Sequence, residues 1–161
     1  MDIVIFCDGA CSQGAVNSSA DQIGGYAAII KDENGTREVV GSEKDTTNNR
    51  MEMMGAIAAL KSIETTSHIT ITSDSAYLVN GMTSWIKNWQ DKGWITASKK
   101  PVKNQDLWKE LIDLTRQHKV VFKWIKGHAS SPENNRCDKL AVEVIEQRRK
   151  ETINVSSNTP D

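Results

Sequence analysis

Hydrophobic positions along this chain follow two different periods, and the changes of period mark out its elements. Residues 3–7, Ile-Val-Ile-Phe-Cys, are a short apolar run that suits a strand buried on both faces. A polar loop of small residues is expected from Gly9 to about Gln22. Residues 23–31 and 36–42 read as strands joined by Asp32-Glu33-Asn34-Gly35, where Asn-Gly tolerates positive φ and signals a hairpin. From residue 48 to 64 the spacing turns helical: Met53, Ile57, Leu60 and Glu64 share one side, with Ala56 and Ile63 beside them. Residues 68–73 are β-branched and alternating, hence a strand, and 75–81 predict a short helix. The stretch 82–103 is rich in Trp and Lys, and its plainest reading is a solvated helix whose tryptophans pack inward. Residues 104–118 predict a helix with Asn104 as N-cap and Asp106 in its first turn. A strand follows at 120–125. Ser131-Pro132-Glu133 is a helix start, with a cap, a proline at the first helical position and an acid. That helix is expected to reach about Lys150, leaving 151–161 as a polar, frayed tail. Three strands, then helices alternating with two more strands, predict one α/β domain over residues 1–150: a mixed sheet with helices on its faces.

Composition narrows the class. The 161 residues suffice for one domain with its own core. A net charge of −1 means that any affinity for a polyanion must come from a local patch. Three cysteines, Cys7, Cys11 and Cys137, match no zinc spacing, and reduced thiols in a cytoplasmic protein are the simplest reading. No apolar stretch reaches transmembrane length and no secretory leader is expected. Nothing suggests more than a monomer.

The informative residues are acids in costly places. Asp8 ends the first apolar strand and Asp74 ends the fourth, where open α/β sheets carry their reactive groups. Glu52 heads a stripe continued by Ala56, Ala59 and Ile63; Asp138 heads another continued by Ala141, Val142 and Ile145. A carboxylate above an apolar stripe is expensive unless its charge is compensated. Singly, Asp74 reads as a helix cap, Glu52 as a first-turn dipole partner, and Asp138 as the partner of Arg136 or Lys139. Taken together, the four acids invite a common divalent cation, since carboxylate oxygens are the hard ligands Mg²⁺ or Mn²⁺ prefers.

Ordered motifs add to this. Cys7-Asp8-Gly9-Ala10-Cys11, Thr46-Thr47-Asn48-Asn49-Arg50-Met51-Glu52, Thr72-Ser73-Asp74-Ser75, Lys126-Gly127-His128-Ala129 and Pro132-Glu133-Asn134-Asn135-Arg136-Cys137-Asp138 occur in that order. Over residues 2–150 the chain resembles the bacterial type 1 ribonuclease H family. The resemblance implies a ribonuclease H-like fold, a five-stranded mixed sheet flanked by helices. It implies an endonuclease that hydrolyses the RNA strand of RNA–DNA hybrids and leaves 5′-phosphate and 3′-hydroxyl products. It further implies that Asp8, Glu52, Asp74 and Asp138 hold two Mg²⁺ ions about 4 Å apart. Asp8 would bridge both ions, with Asp138 nearer one and Glu52 and Asp74 nearer the other. His128 would be a mobile proton shuttle or an aid to product release.

Residues 85–104 hold Trp85, Trp89 and Trp94 with five lysines (87, 92, 99, 100 and 103) against Asp91, a local charge of +4. Basic groups interleaved with aromatics suit a nucleic-acid backbone. The stretch resembles the basic protrusion of the bacterial enzymes, which implies a grip on the DNA strand with Trp85 near its sugars. Reading RNA requires contact with 2′-hydroxyls across a shallow minor groove. The resemblance places Asn48, Asn49 and Cys11 there, with Thr47 and Asn104 at a DNA phosphate. Three departures concern binding rather than the acids: a longer loop before Gly24, Asp45 where a base is common, and Ala76 in place of a longer polar side chain. Rival readings are an integrase-like nuclease on the same sheet, a non-catalytic hybrid-binding module and a structural Ca²⁺ domain. Asn48–Asn49 with the Trp/Lys stretch oppose the first. The intact acids with His128 oppose the second, and the lack of an EF-hand loop opposes the third.

Overall fold

The computed structural model describes residues 2–12, 22–127 and 131–157; His128 and most of the predicted 9–22 loop lie outside them. Five strands form one sheet: β1 (Asp2–Ser12), β2 (Ile23–Asp32), β3 (Gly35–Lys44), β4 (His68–Ser73) and β5 (Lys119–Trp124). Their order is β3-β2-β1-β4-β5. β1 is antiparallel to β2 and parallel to β4, and β4 is parallel to β5, so the sheet is mixed as predicted. The register pairs Cys7 with Ser73 across β1 and β4. The following residues, Asp8 and Asp74, therefore leave two adjacent parallel strands side by side. The β2–β3 hairpin turns on Glu33 and Asn34, whose N–H donates to Asp32 Oδ1 at 2.8 Å, and the positive φ falls on Gly35.

Helices cover both faces. α1 (Asn48–Lys61) buries Met51, Met53, Ala56, Ile57, Ala59 and Leu60 against β1 and β2. Its N-cap is Thr47, whose hydroxyl accepts from Arg50 N–H at 3.2 Å, so neither asparagine caps it. α4 (Gln105–Thr115) packs on α1 and contributes Leu107, Trp108 and Leu111 to the same core. On the opposite face α5 (Pro132–Ser157) crosses β1, β2 and β3, burying Cys137, Ala141 and Ile145 at helical spacing. It continues past Lys150, where a frayed tail was expected. Arg148 and Arg149 pin its later turns, donating at 3.0 and 2.9 Å to the backbone oxygens of Ser42 and Ser12.

The first part of the stretch 82–103 is helical, and Trp89 and Trp94 pack against the core. α2 (Ala76–Asn80) runs through a π-helical turn, Gly81–Trp85, into α3 (Ile86–Asp91). A Cβ on Gly81 would stand 2.1 Å from the buried ring of Trp108, so the glycine lets that ring lie against the helix backbone. Tyr77, Trp85, Trp89, Trp94 and Trp108 follow in a chain with centroid separations of 5.2–6.1 Å. Among the described residues no helix is long and apolar enough to cross a membrane.

Candidate active site

β1 runs on past Asp8 to Ser12, where the sequence suggested that it ended at Asp8, and its later half meets the carboxyl end of β4 and the first turns of α1 and α5 in a pocket of about 260 Å³. Asp8, Glu52, Asp74 and Asp138 all line it, with Asn48 and Asn134 in its wall. One carboxylate oxygen each from Asp8, Glu52 and Asp74 falls within 4.8 Å of the others. Asp138 lines the pocket from α5 without joining that tight group, and its side chain is exposed. The apolar stripe beneath it is narrower than expected, since Ala141 and Ile145 are buried but Val142 is 42 % exposed. Arg136, a possible partner for Asp138, pairs instead with Glu38 at 2.9 Å.

Gly9 makes the convergence possible. A Cβ there would stand 2.3 Å from the Met51 carbonyl carbon and 2.4 Å from Glu52 N. Only a residue without a side chain lets β1 lie directly on α1 and bring Asp8 to Glu52. The junction is fastened beyond it, where Cys11 N–H donates to Asn48 Oδ1 at 2.6 Å. Sequence reading missed this use of Gly9; the signal was a lone glycine after an acid at a strand end.

Nothing cancels the charge of the three acids. No ion pair among the described residues includes Asp8, Glu52, Asp74 or Asp138. Among the described residues Asp8 Oδ1 accepts from Gly9 N–H at 2.9 Å and Asp74 Oδ2 from Asn134 Nδ2 at 3.5 Å, while Asp8 and Glu52 lie close enough to share a proton. Glu52 Oε2 is buried with no partner. Burial first, then the neighbouring Asp74 charge, raises the Asp8 carboxyl above its ordinary range. Burial, followed by Asp8 and Asp74, raises Glu52 as well. Three hard oxygens, one orphaned, in a polar pocket without a cationic side chain fit a divalent metal. The thiols take no part: all three cysteines are free, and burial pushes Cys137 up to about 12 and Cys7 well above its usual value.

The other expected site residues fall around this pocket. Cys11 and Asn48 touch, with Asn49 exposed beside them. Thr47 is exposed as the α1 cap. Asn104 stands at the head of α4 with φ 59°, yet its side chain caps nothing. Its Nδ2 donates to the Tyr77 hydroxyl at 2.9 Å and its Oδ1 accepts from Arg50 at 3.3 Å. Trp85 is 37 % exposed and meets Tyr77 edge-on. The five lysines of the protrusion are exposed.

The sheet order and its acid-centred pocket define a mixed α/β-sheet protein with a candidate metal centre. Comparison with known proteins names the family. A sequence profile of RNase H matches residues 1–146. The chain is 48 % identical over 142 residues to the ribonuclease H of Novosphingobium aromaticivorans, covering 88 % of this chain and 95 % of the relative. It is 44 % identical over 146 residues to that of Geotalea uraniireducens, covering 91 % and 95 %. Among solved structures, a type 1 RNase H with the type 2 active-site motif superposes with TM-score 0.78 at 29 % identity, covering 91 % of this chain and 72 % of that one. A foamy viral protease-reverse transcriptase in complex with RNA/DNA hybrid shares the fold, with TM-score 0.74 at 19 % identity over 89 % of this chain and 20 % of its own. The chain belongs to the RNase H family.

Proposed function

We propose that this protein is an endonuclease that cuts the RNA strand of RNA–DNA hybrids by two-metal-ion hydrolysis, leaving 5′-phosphate and 3′-hydroxyl ends. The observation that carries the reading is the convergence of Asp8, Glu52 and Asp74 without a neutralising base, with Asp138 in the same pocket. Those four residues would hold the ions, with Mg²⁺ as the expected cation and Mn²⁺ as its substitute. When bound, such a pair lowers the pKa of an attacking water and stabilises charge on the leaving oxygen. The chain supplies the rest. Asp8, on the central strand, would be a ligand shared by the ions, and the exposed Asp138 would be the more adjustable one. His128, within the Lys126–Asp138 segment, relays the proton to or from the reacting water.

Substrate choice follows from the rim. The Asn48 and Asn49 amides offer donors and acceptors to 2′-hydroxyls, and Cys11 borders the RNA strand. Thr47 and Asn104 flank a DNA phosphate; with both ends of its amide engaged, Asn104 acts there through Arg50 and Tyr77. The lysines attract the DNA backbone, and Trp85 packs on its sugars. With three free thiols, the protein works as a monomer in the reducing cytoplasm.

The test is a cleavage panel of RNA–DNA hybrid, double-stranded RNA, single-stranded RNA and double-stranded DNA, each with Mg²⁺ and with chelator. Cutting of the hybrid alone, abolished by chelator, is expected. Cutting of double-stranded DNA, or cutting that survives chelator, contradicts the reading.

A further inference from the structure

Asn134 lies in the first turn of α5, one helical turn before Asp138, in the wall of the acidic pocket. It is 4 % exposed. Its backbone N–H donates to Ser131 Oγ at 3.2 Å, so the local cap needs nothing from its side chain. Nδ2 donates to Asp74 Oδ2 at 3.5 Å, and Oδ1 is buried with no hydrogen-bond partner. Chemistry fixes this orientation: turning the amide over would set its oxygen against a carboxylate oxygen, acceptor on acceptor. A buried amide with one unsatisfied end weakens a fold, and an apolar side chain of the same size would not. Its presence therefore calls for a reason outside stability.

Asp74 supplies that reason. Trp124 Nε1 engages its backbone oxygen at 3.1 Å and leaves the carboxylate alone. Among the described hydrogen bonds, Asn134 is the side-chain donor to that carboxylate. A lysine or arginine there would orient Asp74 but cancel the charge a cation needs; a neutral amide orients without cancelling. We propose that Asn134 is a positioning residue that holds the Asp74 carboxylate ready for the cation at a cost to the stability of the fold. The proposal rests on the reading of these acids as cation ligands.

Titration calorimetry of the full chain with Mn²⁺ alone, without substrate, tests it alongside thermal midpoints in chelator. Asn134→Leu is expected to loosen Mn²⁺ about tenfold, the scale for a group that orients a metal ligand, while its metal-free midpoint stays equal or rises. In an Asp74→Asn background the same change should have no further effect on affinity, because the carboxylate that Asn134 would orient is already gone. Should Asn134→Leu not fold, Asn134→Ala is judged on affinity and on the same double-mutant cycle. Unchanged Mn²⁺ affinity, equal weakening in the Asp74→Asn background, or weakening accompanied by a lowered Asn134→Leu midpoint overturns the proposal. Failure of the parent protein to bind Mn²⁺ overturns the cation reading as well, which separates the two failures.

Discussion

The acidic pocket and the tryptophan–lysine protrusion are both dense in charge, and they are built in opposite ways. In the pocket Asp8 is buried, Glu52 and Asp74 are half-buried and Asp138 is on the rim; they are alike in sign, form no ion pair among the described residues, and are held together by strands and helices. In the protrusion an apolar skeleton of packed rings carries lysines that stand in water. The pocket stores repulsion that a bound cation relieves, so its chemistry is coupled to fold stability. The protrusion stores none; its field is long-ranged, screened by salt and separable from the fold. A binding patch can therefore be added at the surface, whereas the catalytic centre has to be part of the core.

The largest expected contrast is at Asp8. Asp8→Asn should abolish hybrid cleavage, retain the fold and raise the metal-free thermal midpoint, because one buried charge is removed. Gel-based cleavage and scanning calorimetry check it, and a lowered midpoint would erase the distinction between the regions. Next comes the ring skeleton. Trp108→Ala should cost about 3–5 kcal/mol in denaturant unfolding, the range for a large aromatic deleted from a core, since Trp108 is fully buried. Gly9→Ala should follow, because its Cβ has nowhere to go against α1. A displacement of about 1 Å between Asp8 and Glu52 can lower kcat by about 100-fold, measurable at saturating metal. Smallest is the joint change of Lys99, Lys100 and Lys103 to Ala. Hybrid affinity should weaken several-fold at low salt with kcat intact. The slope of log K against log salt should shrink by about 0.7–0.9 for each phosphate that these lysines no longer neutralise.

Local signals made much of this legible. Strand β4 is found where alternation put it, at 68–73, and Pro132 opens α5 as expected. The acids stood out because their neighbours at helical or strand spacing are apolar, a feature visible without a fold. What stayed hidden depends on distant partners. The close packing at Gly81 answers to Trp108, more than twenty residues on, whose ring lies against its backbone. Asn104 is at the predicted cap position, but Tyr77 and Arg50 claim its side chain. Lys150 looked like a last helical residue because the arginines that anchor the later turns bind strand ends remote in sequence. Asp138 resembled Glu52 in spacing, yet α5 is rotated enough to expose Val142 and leave Asp138 on the rim.

The claim that buried, unpaired acids await a cation is tested most directly by the thermal midpoint as a function of pH, with and without Mg²⁺. Asp8 in the folded protein is raised from the ordinary carboxylate range to about 7. A raised folded value contributes stability that is complete below the unfolded pKa and is lost as pH climbs through the folded one. Without metal, the midpoint should therefore fall from about pH 4, through about pH 7 as Asp8 ionises and on towards about pH 10 as Glu52 does, burial being the first cause at both. Added Mg²⁺ should raise it by an amount that grows across the same window, and Asp8→Asn should make both trends shallower below about pH 7 while leaving the part that Glu52 contributes. A Mg²⁺ effect that is absent, or equal at pH 5 and pH 8, would contradict the account.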